Sequence, residues 1–148
     1  MGDSAAGGEV RLPDVPVRVF LESQDHQHEL IRELQLIGIG GSLDAGVVRV
    51  SRRLAHLISG VLSEYEAVRS ATRDQALAAL DRGDHVVTLR VPVFPGIGDA
   101  LREWLRLLEE ADELCRQGEL LLLAPSPEVR RLRRWYVEQV TARLAADV

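Results

Sequence analysis

Apolar residues along this chain recur at two different spacings, and the switches between them divide it into elements. Residues 15–22 (VPVRVFLE) are β-branched and apolar and predict a strand. Ser23 offers a helix N-cap, and Leu30, Ile31, Leu34 and Ile37 share one helical face, so a helix is predicted over 24–37. Gly38, Gly40 and Gly41 predict its end and a loop. Val47, Val50, Leu54, Leu57, Val61, Tyr65 and Val68 are spaced by threes and fours, close to a heptad seam, which predicts a long helix over about 43–68. Thr72 and Gln75 fit a T-x-x-Q capping box, so a short separate helix is expected to begin there and to end at Gly83.

The second half alternates more cleanly. Residues 85–91 (HVVTLRV) set Val87, Leu89 and Val91 against Val86, Thr88 and Arg90, the period of a half-buried strand, which Pro92 and Pro95 stop. Ile97, Leu101, Trp104, Leu108, Ala111 and Cys115 form one face of a following helix that Gly118 closes. Residues 120–123 are a run of four leucines, of strand length, suited to a strand covered on both faces. Ser126 caps a last helix with Pro127 at its first position and Val129, Leu132, Tyr136, Val140 and Leu144 as its buried stripe.

These elements predict a helix-rich α/β fold. A small, at least partly parallel three-stranded sheet of 15–22, 86–91 and 119–123 carries several packed helices, with a right-handed crossover from 86 to 123. No linker divides the chain, so residues 11–148 read as a single α/β domain behind a disordered leader at 1–10. The seam over 43–68 is longer than three strands can cover, which predicts a homodimer buried around Val47, Leu54 and Val61.

Composition changes the picture further. With 148 residues the chain needs neither disulfide nor metal to build a core. The net charge of −5 argues against nucleic acid as a partner. All 18 basic residues are arginine, a mark of coding bias in a GC-rich genome. The lone Cys115 excludes an intrachain disulfide and suits a reducing cytoplasm. Neither a signal-peptide pattern nor a membrane-length apolar run is present, so the expected location is cytoplasmic, without a membrane partner.

Candidate chemistry is sparse. His26 and His28 stand two residues apart, about 200° around a helix, whereas zinc ligands on a helix stand at i and i+4. They read as a polar first turn, and no metal or other cofactor is expected. Gly38-Ile39-Gly40-Gly41 follows a helix rather than a strand and lacks a following G-K-[ST], so it reads as a loop and not a phosphate cradle. Cys115 lies late on an apolar helix face, where a thiol is inert, and Ser126 lacks a G-x-S-x-G setting. No catalytic residue emerges. The distinctive cluster is Arg130, Arg131, Arg133, Arg134 and Trp135, four arginines and an indole on an otherwise acidic chain. Either they form a solvated helix face, with Arg134 pairing Glu138, or they dock an acidic partner surface, since arginine and tryptophan dominate interface hot spots.

Three stretches carry a resemblance: VPVRVFLESQDHQHELIRELQLI, TLRVPV and EEADELCRQGELLLLAPSPEVRRLRRWYVEQV. Together they span about residues 11–141 and resemble small actinobacterial proteins encoded beside partner-switching regulators, the anti-sigma-factor kinases and their phosphorylatable antagonists. Those relatives often read L-T-L-A-T-P-P-E where this chain has Leu121-Leu122-Leu123-Ala124-Pro125-Ser126-Pro127-Glu128. The resemblance implies a regulatory role and no catalytic residues. The function expected is a non-catalytic, protein-interaction module in signalling. The alternatives are a small-molecule sensor, and an enzyme whose centre is assembled from distant residues such as His26, His56 and His85.

Overall fold

Proline and glycine set most element boundaries in the computed structural model, which describes residues 8–39 and 45–146. Strand β1 (Glu9–Pro16) runs straight into helix α1 (Val17–Ile39); helix α2 (Ala45–Asp81), strand β2 (Val86–Pro92), helix α3 (Ile97–Arg116) and helix α4 (Pro127–Ala146) follow. Residues 1–7 of the expected leader, Gly40 and Gly41 of the glycine loop, and Leu43 lie outside the described residues. Glu9 and Val10, also assigned to the leader, are strand residues.

The expected three-stranded, partly parallel sheet is not there. β1 and β2 form a two-stranded antiparallel sheet, pairing Val10 with Val91 and Leu12 with Leu89. The register shifts between Leu12 and Val15, where Pro13 has no N–H to give the ladder and Asp14 takes a left-handed φ of 60°. Val10, Leu12, Val15, Leu89 and Val91 are buried, so one face of this ribbon belongs to the core. A two-stranded ribbon needs backing to persist in water, and α1, α2 and α4 supply it.

Residues 15–22 divide at Pro16 instead of forming one strand. Val17 N donates to His85 O at 3.0 Å, which satisfies a first-turn amide that the helix itself leaves free. Val17, Phe20 and Leu21 then turn inward with helical spacing, in register with Leu30 and Leu34 further along α1. β-branched residues suggested a strand, but burial of this face against α2 decides the outcome.

α2 is continuous where a break was predicted. Thr72 Oγ1 donates back to Val68 O at 2.8 Å and to Arg69 O, an intrahelical bond rather than a cap. Gln75 is used elsewhere: its Nε2 donates to Arg90 O at 2.9 Å, and Arg90 N donates to its Oε1 at 2.7 Å. One amide side chain thus occupies the β2 edge away from β1. Gly83, with φ 80°, ends α2 as predicted, and Asp84 N reaches back to Ala79 O. The α2 stripe is covered by the chain itself: Leu54, Ile58, Tyr65 and Val68 are buried, and Val50, Leu57 and Val61 pack on the same core. Val50, Leu57 and Val61 are only partly buried, and the side chain of Val47 lies outside the described residues.

The leucine run at 120–123 is not a strand and does not pair with β2. With β1 on one edge and Gln75 on the other, β2 has no place for it. Leu121 N and Leu122 N instead donate to the Glu33 carboxylate of α1, the latter at 2.7 Å, and the His26 ring bonds Leu123 O at 2.8 Å. Leu120 is buried, while Leu121 is 95% and Leu123 80% exposed. α3 and α4 form as the periodicity predicts. Gly118, with φ 77°, closes the first, and Ser126 Oγ accepts from Val129 N at 3.2 Å to open the second.

Candidate functional site

The Ser126 cap and Pro127 fix the start of α4, and its apolar stripe sets which side of each turn faces the core. Val129, Leu132, Arg133, Tyr136, Val137 and Val140 point inward. Of the five residues predicted to meet a partner, Arg133 is therefore misplaced. It is only 2% exposed, so it belongs to the interior rather than to an exposed helix face.

Arg133 is instead the centre of a buried polar node joining α1, α3 and α4. Its Nε donates to Ser23 Oγ at 3.0 Å and its Nη2 to Ser23 O at 3.3 Å. Nη2 also faces His26 Nδ1 at 3.4 Å, and Nη1 lies 3.5 Å from Asp112 Oδ2. If Nη2 donates to Nδ1, His26 carries its proton on Nε2 and gives it to Leu123 O. One imidazole then links the buried guanidinium to the leucine loop. Burial lifts the Asp112 carboxyl above the usual range and lowers the Arg133 guanidinium, in each case against their mutual attraction. Loss of hydration thus outweighs the pairing in both groups, and the pair joins α3 to α4.

Outside this node the same helix lines a cleft of about 220 Å³ between α3 and α4. Arg116, Arg130, Arg131, Arg133 and Arg134 surround it against only Glu109 and Asp112. Three of the arginines are committed: Arg133 as described, Arg134 to Glu109 Oε2 at 2.9 Å, and Arg116 to Glu113. Arg134 thus pairs across helices rather than with Glu138. Arg130 and Arg131 have no ion pair or side-chain hydrogen bond among the described residues. The N-terminal end of α4, represented by Pro127, adds its partial positive charge to the same cleft. Trp135 faces the other way. It is half-buried beside Pro16, Val19 and Leu132 in an open groove whose charged rim mixes Asp14, Glu128 and Glu138 with Arg131 and Arg134.

The other candidate residues stay apart from this chemistry. His28, His56 and His85 are exposed, and no group of three or more His, Cys, Asp or Glu among the described residues could hold a metal. Cys115 is buried, and burial pushes its thiol up to about 11, far from a reactive thiolate. Ser126 acts as the predicted cap.

Sequence reasoning missed Asp112 and the structural part of His26, and it read Ser23 as a helix N-cap, whereas Ser23 lies inside α1 and accepts from Arg133. A signal was present. Arg133 stands four residues after Val129 and three before Tyr136, on the inward stripe, and Asp112 sits between the stripe residues Ala111 and Cys115. An acid and a base on two buried stripes can be read as a pair in advance.

No family model, curated protein or solved structure matches the chain. Among the described residues no helix is long and apolar enough to cross a membrane.

Proposed function

We propose that this protein is a non-catalytic regulatory module that docks an acidic segment of a protein partner in the arginine cleft between α3 and α4. The observation that carries this reading is the pair Arg130 and Arg131. Both line a cleft with an excess of positive charge on a chain of net charge −5, and neither makes an ion pair or side-chain hydrogen bond among the described residues. Guanidinium groups meet carboxylates in paired hydrogen bonds, and a cleft of one sign steers a partner of the other sign toward it. Arg134 stands at the rim, where exchanging Glu109 for a partner carboxylate costs little, since an exposed ion pair is worth about 0–1 kcal/mol. The sequence resemblance supports a role for such a module in cytoplasmic bacterial signalling of the partner-switching type.

A fluorescein-labelled, glutamate-rich peptide is the direct probe. Its binding should be saturable and weaken steeply between low salt and 0.5 M sodium chloride, because exposed charges are screened. A lysine-rich peptide of the same length should not bind. Equal binding of the two peptides, or affinity indifferent to salt, contradicts the reading.

A further inference from the structure

A second cavity lies behind the same arginine, and what lines it is of a different kind. It is small, about 30 Å³, and lies between α1, α2, α3 and α4. Four of the six aromatic residues of the chain, Phe20, Tyr65, Trp104 and Tyr136, form its wall. Only Gln24 and Arg69 among its lining residues are half-buried, so its mouth lies between α1 and α2.

The polar groups of this wall are short of acceptors. Gln27 Nε2 and Trp104 Nε1 are buried and have no hydrogen-bond partner. Gln27 is 4% and Trp104 9% exposed, so neither donor is met by bulk water. Leaving a buried donor unmet is costly, and so calls for a specific partner. The hydroxyls of Tyr65 and Tyr136 bond each other at 3.1 Å, which uses one hydrogen and leaves the other to donate. Burial pushes both phenols up, Tyr136 to about 12, so both keep their protons at neutral pH. Arg69, which pairs with Glu66 Oε2 at 3.4 Å, and Arg133, which pairs with Asp112, also line the cavity, and no Asp or Glu does. Spare donors, two cations, no anion and an aromatic wall describe one class of guest.

We propose that this cavity is a binding site for a small organic carboxylate, whose oxygens accept from Trp104 Nε1–H and Gln27 Nε2–H beside Arg69 and Arg133. A water-sized group needs roughly 10–15 Å³ of such space, so about 30 Å³ admits the two carboxylate oxygens, with the remainder of the molecule directed toward Gln24 and Arg69. The site goes beyond the docking cleft and does not depend on it, since Arg130 and Arg131 do not line it.

The test is a titration of ¹⁵N-labelled protein with sodium acetate, propionate and benzoate at constant ionic strength, with acetamide and benzamide as uncharged matches. The chain has two tryptophans, and Trp104→Phe assigns their indole resonances while keeping a ring in the wall. The expected result is a saturable shift of the Trp104 indole N–H with at least one carboxylate, and not with the amides, while the Trp135 signal stays in place. Gln27→Met removes one charge-assisted bond and should weaken binding about 10-fold or more. Arg130→Gln with Arg131→Gln should leave the titration unchanged, so failure of the docking cleft does not imitate failure here. The proposal is overturned if no carboxylate saturates, if amides act equally, or if folded Gln27→Met binds as tightly as the parent; the cavity then holds only water.

Discussion

Arg133 and its neighbours Arg130 and Arg131 differ by less than one helical turn and by nearly everything else. Arg133 is 2% exposed and bound to Ser23, His26 and Asp112. Arg131 is exposed and Arg130 half-buried on the cleft wall, without ion-pair partners among the described residues. The residue type is the same, so the difference lies in helical phase. The buried stripe of α4 sets that phase, and with it which guanidinium becomes part of the fold and which stays available. A count of arginines on a helix therefore says little until the inward stripe has been subtracted.

The largest expected effect falls on the inner site. Arg133→Ala removes the ion-pair partner of the buried Asp112 and should destabilise the protein by about 3–5 kcal/mol in urea unfolding, a large part of the roughly 5–15 kcal/mol typical of a domain. Replacing both partners, Asp112→Leu with Arg133→Met, should recover most of that loss, because burial already outweighs their attraction. A double variant as unstable as Arg133→Ala would show that the pair adds net stability.

Ser23→Ala should cost less, about 1.5–3 kcal/mol, the value of a hydrogen bond to a charged group. Circular dichroism melts would show it as a lower Tm. The Asp112 carboxyl adds a pH signature. Its folded value is raised, so the native state holds the proton more tightly than the unfolded chain. Its contribution is most favourable at low pH and falls as pH rises from the ordinary carboxylate range, about 4, through the raised value. The stability of the parent relative to Asp112→Asn should therefore decrease across that rise; a difference independent of pH would contradict the burial argument. The smallest effect is expected at the outer site, where Arg130→Gln with Arg131→Gln should change stability by no more than about 0.5 kcal/mol per site.

Much of the second half of the fold was legible. The stripe from Ile97 to Cys115, the glycines at 83 and 118 and the Ser126-Pro127 start all stand where spacing and capping put them. The first strand was not legible, because Pro13 and Asp14 interrupt it with a bulge and only its pairing with β2 holds it. Residues 15–22 misled because apolar side chains at Val17, Phe20 and Leu21 fit a helix, while Val15, Val17 and Val19 fit a strand. Residues 120–123 misled for a different reason. Alternation does put Leu120 inside and Leu121 and Leu123 outside, but Gln75 already occupies the edge that a third strand needs. The arginine cluster was visible as composition. Its division into a buried centre and a free rim needed the phase of α4 against α3, a tertiary fact.

The most direct test of the account measures binding and stability on the same three proteins. The parent, Arg133→Ala and the double variant Arg130→Gln with Arg131→Gln would be titrated with the glutamate-rich peptide by fluorescence anisotropy, and their urea unfolding recorded alongside. The account predicts that the double variant unfolds with the parent yet binds about 30-fold more weakly, a loss of about 2 kcal/mol. Arg133→Ala should lose stability first and binding only in proportion to the unfolded fraction. A folded double variant that binds as tightly as the parent would contradict the assignment of the α3–α4 cleft as the docking site.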